Sequence, residues 1–272
     1  MATAWRRSAG RQALGRLMHG ADAITGTPAT NLTKGQFGVK ALAVYEDDFF
    51  LDWFGRFYSG PHKDTNFVVT GFTQTDGVVE LDPDLSTAVE AQDLFEMYPE
   101  FSPAEMNDAI NAAIAMVEDE ALQDKRDETL VAVATQWEYD VPPDFVTVEQ
   151  IYEESGTAGR YSPSGALLDV RHWRILPGSP PKIWFDNTYK TLTAGRKLRL
   201  VGQQAPPQLT KDDDLCSVPQ MYVLYQAKAH LHLARVEESG DDHYKKMVVA
   251  QARAHEERKR LLVASRGSRV AF

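Results

Sequence analysis

Residues 98–111 read Tyr98-Pro99-Glu100-Phe101-Ser102-Pro103-Ala104-Glu105-Met106-Asn107-Asp108-Ala109-Ile110-Asn111, and the start of a helix can be set from this stretch alone. Ser102 suits the N-cap, and Pro103 carries the fixed backbone angle of a first helical residue. Glu105 stands where its carboxylate reaches back to close a capping box. Phe101 and Met106 occupy the staple positions. Met106, Ile110, Ala113, Ile114 and Val117 then recur at helical spacing, with Glu105, Asp108, Asn111, Glu118 and Asp119 elsewhere on the wheel. The pattern predicts a helix from Pro103 to about Gln123.

On either side of this helix the sequence reads as β structure. Upstream, from Gln36 to Asp82, aromatic and β-branched residues are broken by Gly55, Gly60-Pro61, Gly71 and Asp76-Gly77. Residues Phe67 to Thr70 and Val78 to Leu81 flank Thr75-Asp76-Gly77 and predict a hairpin. The run Asp48-Phe49-Phe50-Leu51-Asp52-Trp53-Phe54 is too apolar for a solvated strand and reads as a core strand or an interface. Downstream of the charged stretch Asp124 to Glu128, strands are expected at Thr129–Trp137, Phe145–Tyr152, Val170–Leu176, Ile183–Phe185 and Lys197–Val201. Pro142-Pro143-Asp144, Gly156 to Gly165, Pro177 to Pro181 and Thr193-Ala194-Gly195 separate them. Five short strands at this spacing make a small antiparallel sheet or sandwich.

The end of the chain is helical again. Ser217 to Gln220 has capping-box spacing, and Met221, Leu224, Tyr225, Leu231 and Val236 continue an apolar face towards Ser239-Gly240. Asp241 or Asp242 can cap a second helix running through Met247, Val248 and Leu261-Leu262 to about Ser265. So short a joint implies an antiparallel pair. The fold class is therefore α+β: a helical core of one helix plus a C-terminal antiparallel helix pair, an inserted antiparallel β-sheet or sandwich, and a further β-rich region at the N-terminus. The expected divisions are a basic arm at 1–30, the β-rich region at 31–92, the first helix at 93–128, the inserted β domain at 129–205, and the helix pair with its tail at 206–272.

Charge divides unevenly along this order. The 272 residues carry a net −10, which argues against a protein whose main surface grips nucleic acid. Arg6, Arg7, Arg11 and Arg16 give residues 1–20 a charge of +4, and Arg258, Lys259, Arg260, Arg266 and Arg269 give residues 258–272 +5. Against the total, the interior carries −19. The arginine-rich, acid-free start has the composition of a mitochondrial transit peptide, yet a bound arm or a short helix around Gly10 to His19 is the stronger reading. No stretch reaches the roughly 18 apolar residues of a membrane span, and a single cysteine, Cys216, rules out an internal disulfide.

Chemistry-bearing motifs are scarce. Neither a P-loop nor a Gly-x-Gly-x-x-Gly turn occurs, and Ser164 lacks the flanking glycines of a nucleophile elbow. Cys216, just before a helix, reads as packing. His230 and His232 are two apart on a helix and cannot share a ligand there. His243 beside Asp241 and Asp242 reads as ordinary helix capping. Lys211-Asp212-Asp213-Asp214 resembles a fragment of a calcium loop without its glycine and terminal glutamate, and reads as a solvated acidic turn. Arg56 among Trp53, Phe57 and Tyr58 has the ingredients of a single-strand nucleic-acid surface, but Asp47, Asp48 and Asp52 would repel phosphate. No catalytic residue, cofactor or metal site is expected. The rival class is a hydrolase or carbohydrate-binding protein, with Trp173, Trp184 and Tyr189 forming a sugar-stacking platform on the central sheet.

The segment from Asp93 through Tyr98-Pro99-Glu100-Phe101-Ser102-Pro103 to Ile114 resembles the first helix of the head-to-tail adaptors of tailed bacteriophages. Gln136-Trp137-Glu138-Tyr139-Asp140-Val141-Pro142, with the strand from Val146 to Ile151, is similar to the β insertion of larger adaptors. The segment from Gln220 to Leu233 is similar to their late helix. The likeness spans Asp93 to Ser265 and leaves residues 1–82 unmatched. It implies a non-enzymatic virion protein of the neck, assembled in the host cytoplasm. Such a protein forms a homo-oligomeric ring, dodecameric by the family's pattern, between the portal and a downstream neck or tail protein. DNA passes through it without sequence-specific binding, and no membrane is involved. On that reading an acidic wall lets DNA slide, and the tail docks into the portal through Arg266, Arg269, Val270 and Phe272.

Overall fold

The computed structural model describes residues 4–20, 23–161, 166–188, 191–239 and 241–267. It is an α+β fold divided into two compact units, one made of residues 1–120 with 207–272 and the other of residues 121–206.

The first unit opens with a two-residue strand β1 (Trp5–Arg6) and helix α1 (Arg7–His19). Strands β2 (Ile24–Gly26), β3 (Thr30–Thr33), β4 (Gln36–Gly38), β5 (Phe54–Phe57), β6 (Asn66–Thr73), β7 (Val78–Asp82) and β8 (Phe95–Tyr98) follow. They form one seven-stranded antiparallel sheet in the order β2-β8-β5-β6-β7-β4-β3. Its buried cluster includes Phe37, Phe50, Phe57, Phe67, Phe95 and Met97. Fully burying one such side chain contributes about 1.5–3 kcal/mol. The expected hairpin is β6–β7, closed by Asp76 and Gly77 at φ +63° and +61°. Gly77 is needed twice over, because a Cβ there would also stand 2.2 Å from the Val39 carbonyl.

The run at 48–54 is not a strand. Residues 47–52 form consecutive turns that enter β5 only at Phe54, pinned by positive φ at Asp48 and Asp52. Phe50 and Trp53 are buried, while Phe49 and Leu51 are exposed.

Helix α2 covers Pro103–Ala115 and has the full capping box. Glu105 N–H donates to Ser102 Oγ at 3.2 Å, and Ser102 N–H donates to Glu105 Oε2 at 2.8 Å. It stops short of Gln123, since Glu118, Asp119 and Glu120 place negative charge at the negative end of the helix dipole. Helices α3 (Gln220–Ser239) and α4 (Asp241–Gly267) pack on each other, and α3 packs on α1 and α2. Tyr222, early in α3, and Arg258, late in α4, line one hollow, as antiparallel helices require. Ser217 does not cap α3. Pro219 biases Val218 towards extended backbone, so the helix waits until Gln220.

The second unit carries two three-stranded antiparallel sheets. One has the order β11-β14-β9, from β9 (Gln123–Val131), β11 (Phe145–Glu153) and β14 (Lys197–Gln204); the other is β10-β13-β12, from β10 (Glu138–Asp140), β12 (Trp173–Leu176) and β13 (Lys182–Phe185). They share a core with Ile151, Trp173, Ile183, Phe185, Leu198 and Leu200. The stretch from Asp124 to Glu128, expected as a charged break, is the first half of β9. That strand lies at a sheet edge, where alternating charges suit an exposed face. Accordingly the strand expected at 129–137 ends at Val131, and Trp137 precedes β10.

Candidate functional site

Among the described residues, a dense buried ionic centre surrounds Asp212. The 211–214 turn leads into strand β15 (Leu215–Cys216), which pairs with β1 so that Trp5 faces Cys216. Trp5 Nε1 donates to the Val218 carbonyl at 2.8 Å. Helix α1 has no side-chain cap, and its first N–H groups are met by the turn: Arg7 N–H donates to the Asp214 carbonyl at 3.0 Å and Ser8 N–H to that of Asp212 at 3.1 Å. Residues Arg7 and Arg11, four apart, then point back at the same carboxylate.

Asp212 Oδ1 accepts from Arg7 Nη2 at 3.0 Å and Arg11 Nη1 at 2.8 Å. Its Oδ2 accepts from Arg11 Nη2 at 2.9 Å and Arg56 Nε at 3.1 Å. The Asp212 and Arg11 side chains are 0% exposed. Arg11 also donates Nε to Glu96 Oε1 and Nη1 to Asn107 Oδ1, the latter at 2.8 Å. Arg56 continues outward to Asp64 at 2.6 Å and to Asn66 at 2.8 Å. One connected set of charged side chains, extended to α2 by the neutral Asn107, therefore joins α1, β5, β8, α2 and the 207–216 segment. Close approach of α1 to the sheet depends on Gly15, where a Cβ would stand 2.1 Å from the Tyr98 ring.

The electrostatics follow from burial and pairing. Burial works against the Asp212 charge, but hydrogen bonds and charge from Arg11 and then Arg56 overcome it and hold this carboxyl well below the usual range. Glu96 goes the other way: burial raises its pKa more than Arg11 lowers it. Glu96 Oε2 and the Tyr98 hydroxyl are both buried, beside each other. The arrangement holds elements in place, and its central members Arg11, Glu96 and Asp212 are fully buried.

Most of the residues singled out in the sequence lie elsewhere. The 211–214 turn, expected as a solvated acidic turn, is solvated only in part. Asp212 is buried, Asp213 pairs with Lys63 and stands 3.9 Å from Arg6, and Asp214 accepts backbone N–H groups of Thr210 at 2.6 Å and Lys211 at 2.7 Å. Arg56 is buried in the ionic centre and offers nothing to a nucleic acid. Of the basic ends, Arg7 and Arg11 are internal, and Arg258 donates to Glu120 at 2.5 Å and 2.8 Å. Cys216 is buried, and its thiol is pushed up to about 11 by that burial. His230 and His232 point apart, as their spacing requires. His232 packs at 3.1 Å between ring nitrogens on His243, which lies 3.5 Å from Glu100. Burial, then Lys228 and His243, lowers the His232 pKa to about 4.

The sugar platform does not form. Trp173 is only 8% exposed and sits in the core, while Trp184 lies under the Arg174 guanidinium at 4.5 Å; Tyr189 lies outside the described residues. Ser164, Arg269, Val270 and Phe272 lie outside them too, as does the side chain of Arg266. Sequence reasoning missed Arg56, Glu96 and Asp212 as partners. The available signal was a charge inside each of two apolar strands, Phe54-Gly55-Arg56-Phe57 and Phe95-Glu96-Met97-Tyr98, and arginines at helical spacing on α1.

Fold and ionic centre together define a class: an α+β protein in which buried charges hold helices to a sheet. Compared with known families, residues 81–270 match the model described as SU10 adaptor protein. The match spans more than half of the chain, and the chain belongs to that family, the head-to-tail adaptors of tailed phages. No curated protein matches it. The family is a structural class rather than an enzyme class. It makes this chain a phage neck protein that works among other head and tail proteins. Among the described residues no helix is long and apolar enough to cross a membrane.

Proposed function

We propose that the chain forms a ring in the phage neck that joins the portal to a downstream tail component and forms part of the passage for DNA. The observation that carries this reading is the adaptor-family match over residues 81–270, which takes in α2, α3, α4 and the whole 121–206 unit. Charge supports the passage: residues 31–120 hold 18 acidic side chains against four basic ones. A wall of that sign repels phosphate and lets DNA move without sticking. The docking segment on this reading is the tail, with Arg266 and Arg269 for an acidic portal surface and Val270 and Phe272 as apolar anchors.

The test is electron microscopy and native mass spectrometry of the full chain, alone and with its portal. Rings, or a defined portal complex, are the expected result; a free monomer under all these conditions refutes the reading. Changing Arg266 and Arg269 to alanine weakens portal attachment without lowering thermal stability. Unchanged attachment removes the tail from the proposal.

A further inference from the structure

A groove between α3 and α4, with a volume of ≈ 300 Å³, is lined by Tyr225, Lys228, Lys245, Lys246, Val249 and Arg253. Four cations surround an apolar floor. Lys228 donates to the Leu17 carbonyl at 2.9 Å, and burial followed by the charge of Lys246 lowers its pKa. Among the described residues only Lys246 of the four has a carboxylate partner, Asp242 at 2.6 Å. Val249 is 62% exposed, and Tyr244 and Val248 on the same helix are also uncovered. A ligand for this groove must be anionic and carry bulky apolar groups. A bare phosphate backbone meets only the first requirement.

The same chain presents that chemistry elsewhere. In the 44–52 loop Glu46, Asp47, Asp48 and Asp52 are exposed together with Val44, Phe49 and Leu51. The loop is braced. Asp48 N–H donates to the Phe72 carbonyl at 2.8 Å, Asp52 N–H to that of Val69 at 2.9 Å, and Gln74 N–H to Asp47 Oδ1 at 2.7 Å. Tyr45 and Phe49 stack at 4.7 Å above the buried Phe50 and Trp53. A pre-organised loop loses little conformational entropy on binding. No ion pair joins loop and groove within one chain, among the described residues.

We propose that the α3–α4 groove receives the 44–52 loop of a second copy of this chain. Phe49 and Leu51 pack on Tyr225 and Val249, and the four carboxylates face Lys228, Lys245, Lys246 and Arg253. Two different patches of one chain then meet head to tail, a contact that closes into a ring when the rotation between copies permits. The loop lies outside the family match, so this contact belongs to this chain's own N-terminal region. The inference rests on the ring reading above.

The test uses full-length protein, half of it labelled with ¹⁵N, joined by a zero-length carbodiimide and mapped by mass spectrometry alongside sedimentation. Mixed-isotope cross-links between a 46–52 carboxylate and Lys245 or Lys246 are expected. Lys245→Glu with Lys246→Glu, and separately Glu46→Lys with Leu51→Lys, each weaken self-association about tenfold or more with little change in unfolding temperature. Mixing the two variants restores part of it. Rings that persist unchanged in both variants, or cross-links only elsewhere, overturn the contact and leave the ring reading standing. A wild-type chain that stays monomeric with and without portal overturns both. Protection of Lys245 and Lys246 from acetylation by a DNA oligonucleotide, without self-association, assigns the groove to nucleic acid and overturns the proposal.

Discussion

Replacing Asp212 by asparagine keeps the volume of the side chain and removes one negative charge from a place it shares with three guanidinium groups. In the native chain Arg7, Arg11 and Arg56 are balanced by Asp212 and Glu96, with Asp64 at the margin. The variant leaves Arg11 with Glu96 and Arg56 with Asp64, and leaves Arg7 with no carboxylate, only the Leu209 carbonyl. Removing one member of a buried pair costs about 3–5 kcal/mol, because the remaining charge stays desolvated. Since a domain of this size loses roughly 2–4 °C per kcal/mol, the unfolding temperature should fall by about 6–20 °C. Asp213→Asn, one residue away but with a side chain 61% exposed, should move it by no more than about 2 °C. Circular dichroism melts at pH 7 compare the two directly. Adding Arg11→Met to Asp212→Asn should cost less than the two changes separately, by about 1–2 kcal/mol. An Asp212 variant that melts with the Asp213 variant, or strictly additive losses, would refute the account of this centre. Acid adds a second reading. The folded pKa of Asp212 lies below its unfolded value of about 3.9, so its contribution is complete above that pH and is withdrawn as pH falls through the folded value.

His232 works over a different window. Its folded pKa is about 4 against about 6.5 unfolded, so the unfolded chain takes up the proton first. Stability should fall between pH 6.5 and 4 by up to about 3 kcal/mol, and His232→Gln should flatten that part of a urea-midpoint profile; an unaltered profile counts against it. Ser102→Ala removes the cap of α2 and should cost about 1 kcal/mol, read as a shifted urea midpoint with an unchanged slope. Cys216, buried and with its thiol pushed up to about 11, should react with a thiol reagent at pH 8 only as fast as the protein opens, and at once in denaturant. Rapid stoichiometric labelling of the native chain would contradict its burial.

Local signals were legible where they are self-contained. Ser102, Pro103 and Glu105 set the start of α2 because a capping box needs four consecutive residues and nothing else. Asp76-Gly77 marked its hairpin because two positive φ values in sequence leave few alternatives. The end of α2 was less legible, since Met116, Val117 and Leu122 continue an apolar pattern that tertiary context does not use as helix. The ionic centre was illegible as a site for a related reason. Arg11, Arg56, Glu96 and Asp212 come from four segments, and each taken alone reads as a surface charge or a break in an apolar strand. Only the topology, which lays β15 against β1 and β8 beside β5, brings them together. The aromatic platform failed for the converse reason. Trp173 and Trp184 sit in consecutive strands, but the pleat and pairing of β12 and β13 bury one ring and cover the other with Arg174.

Charge is where sequence and structure have to be read together. Counted along the chain, the ends are basic and the interior carries −19, which invites the view that both ends reach for neighbours. The contacts divide those charges differently. Arg7 and Arg11 are spent inside, and Arg258 on Glu120, Lys259 on Glu256 and Arg260 on Glu257 at 2.5 Å, 3.0 Å and 2.7 Å are matched within the chain. The surplus of acid is local as well: residues 31–120 carry −14, while residues 121–206 carry −1 and residues 207–272 +2. Internal pairing therefore leaves an acidic N-terminal β region and, on α3 and α4, a few cations with no carboxylate of their own. Two surfaces of opposite sign on one chain attract in only one pairing, unlike with unlike. Like surfaces repel, so the charge pattern disfavours a contact of either patch with its own copy and favours the 44–52 loop of one chain against the α3–α4 groove of another.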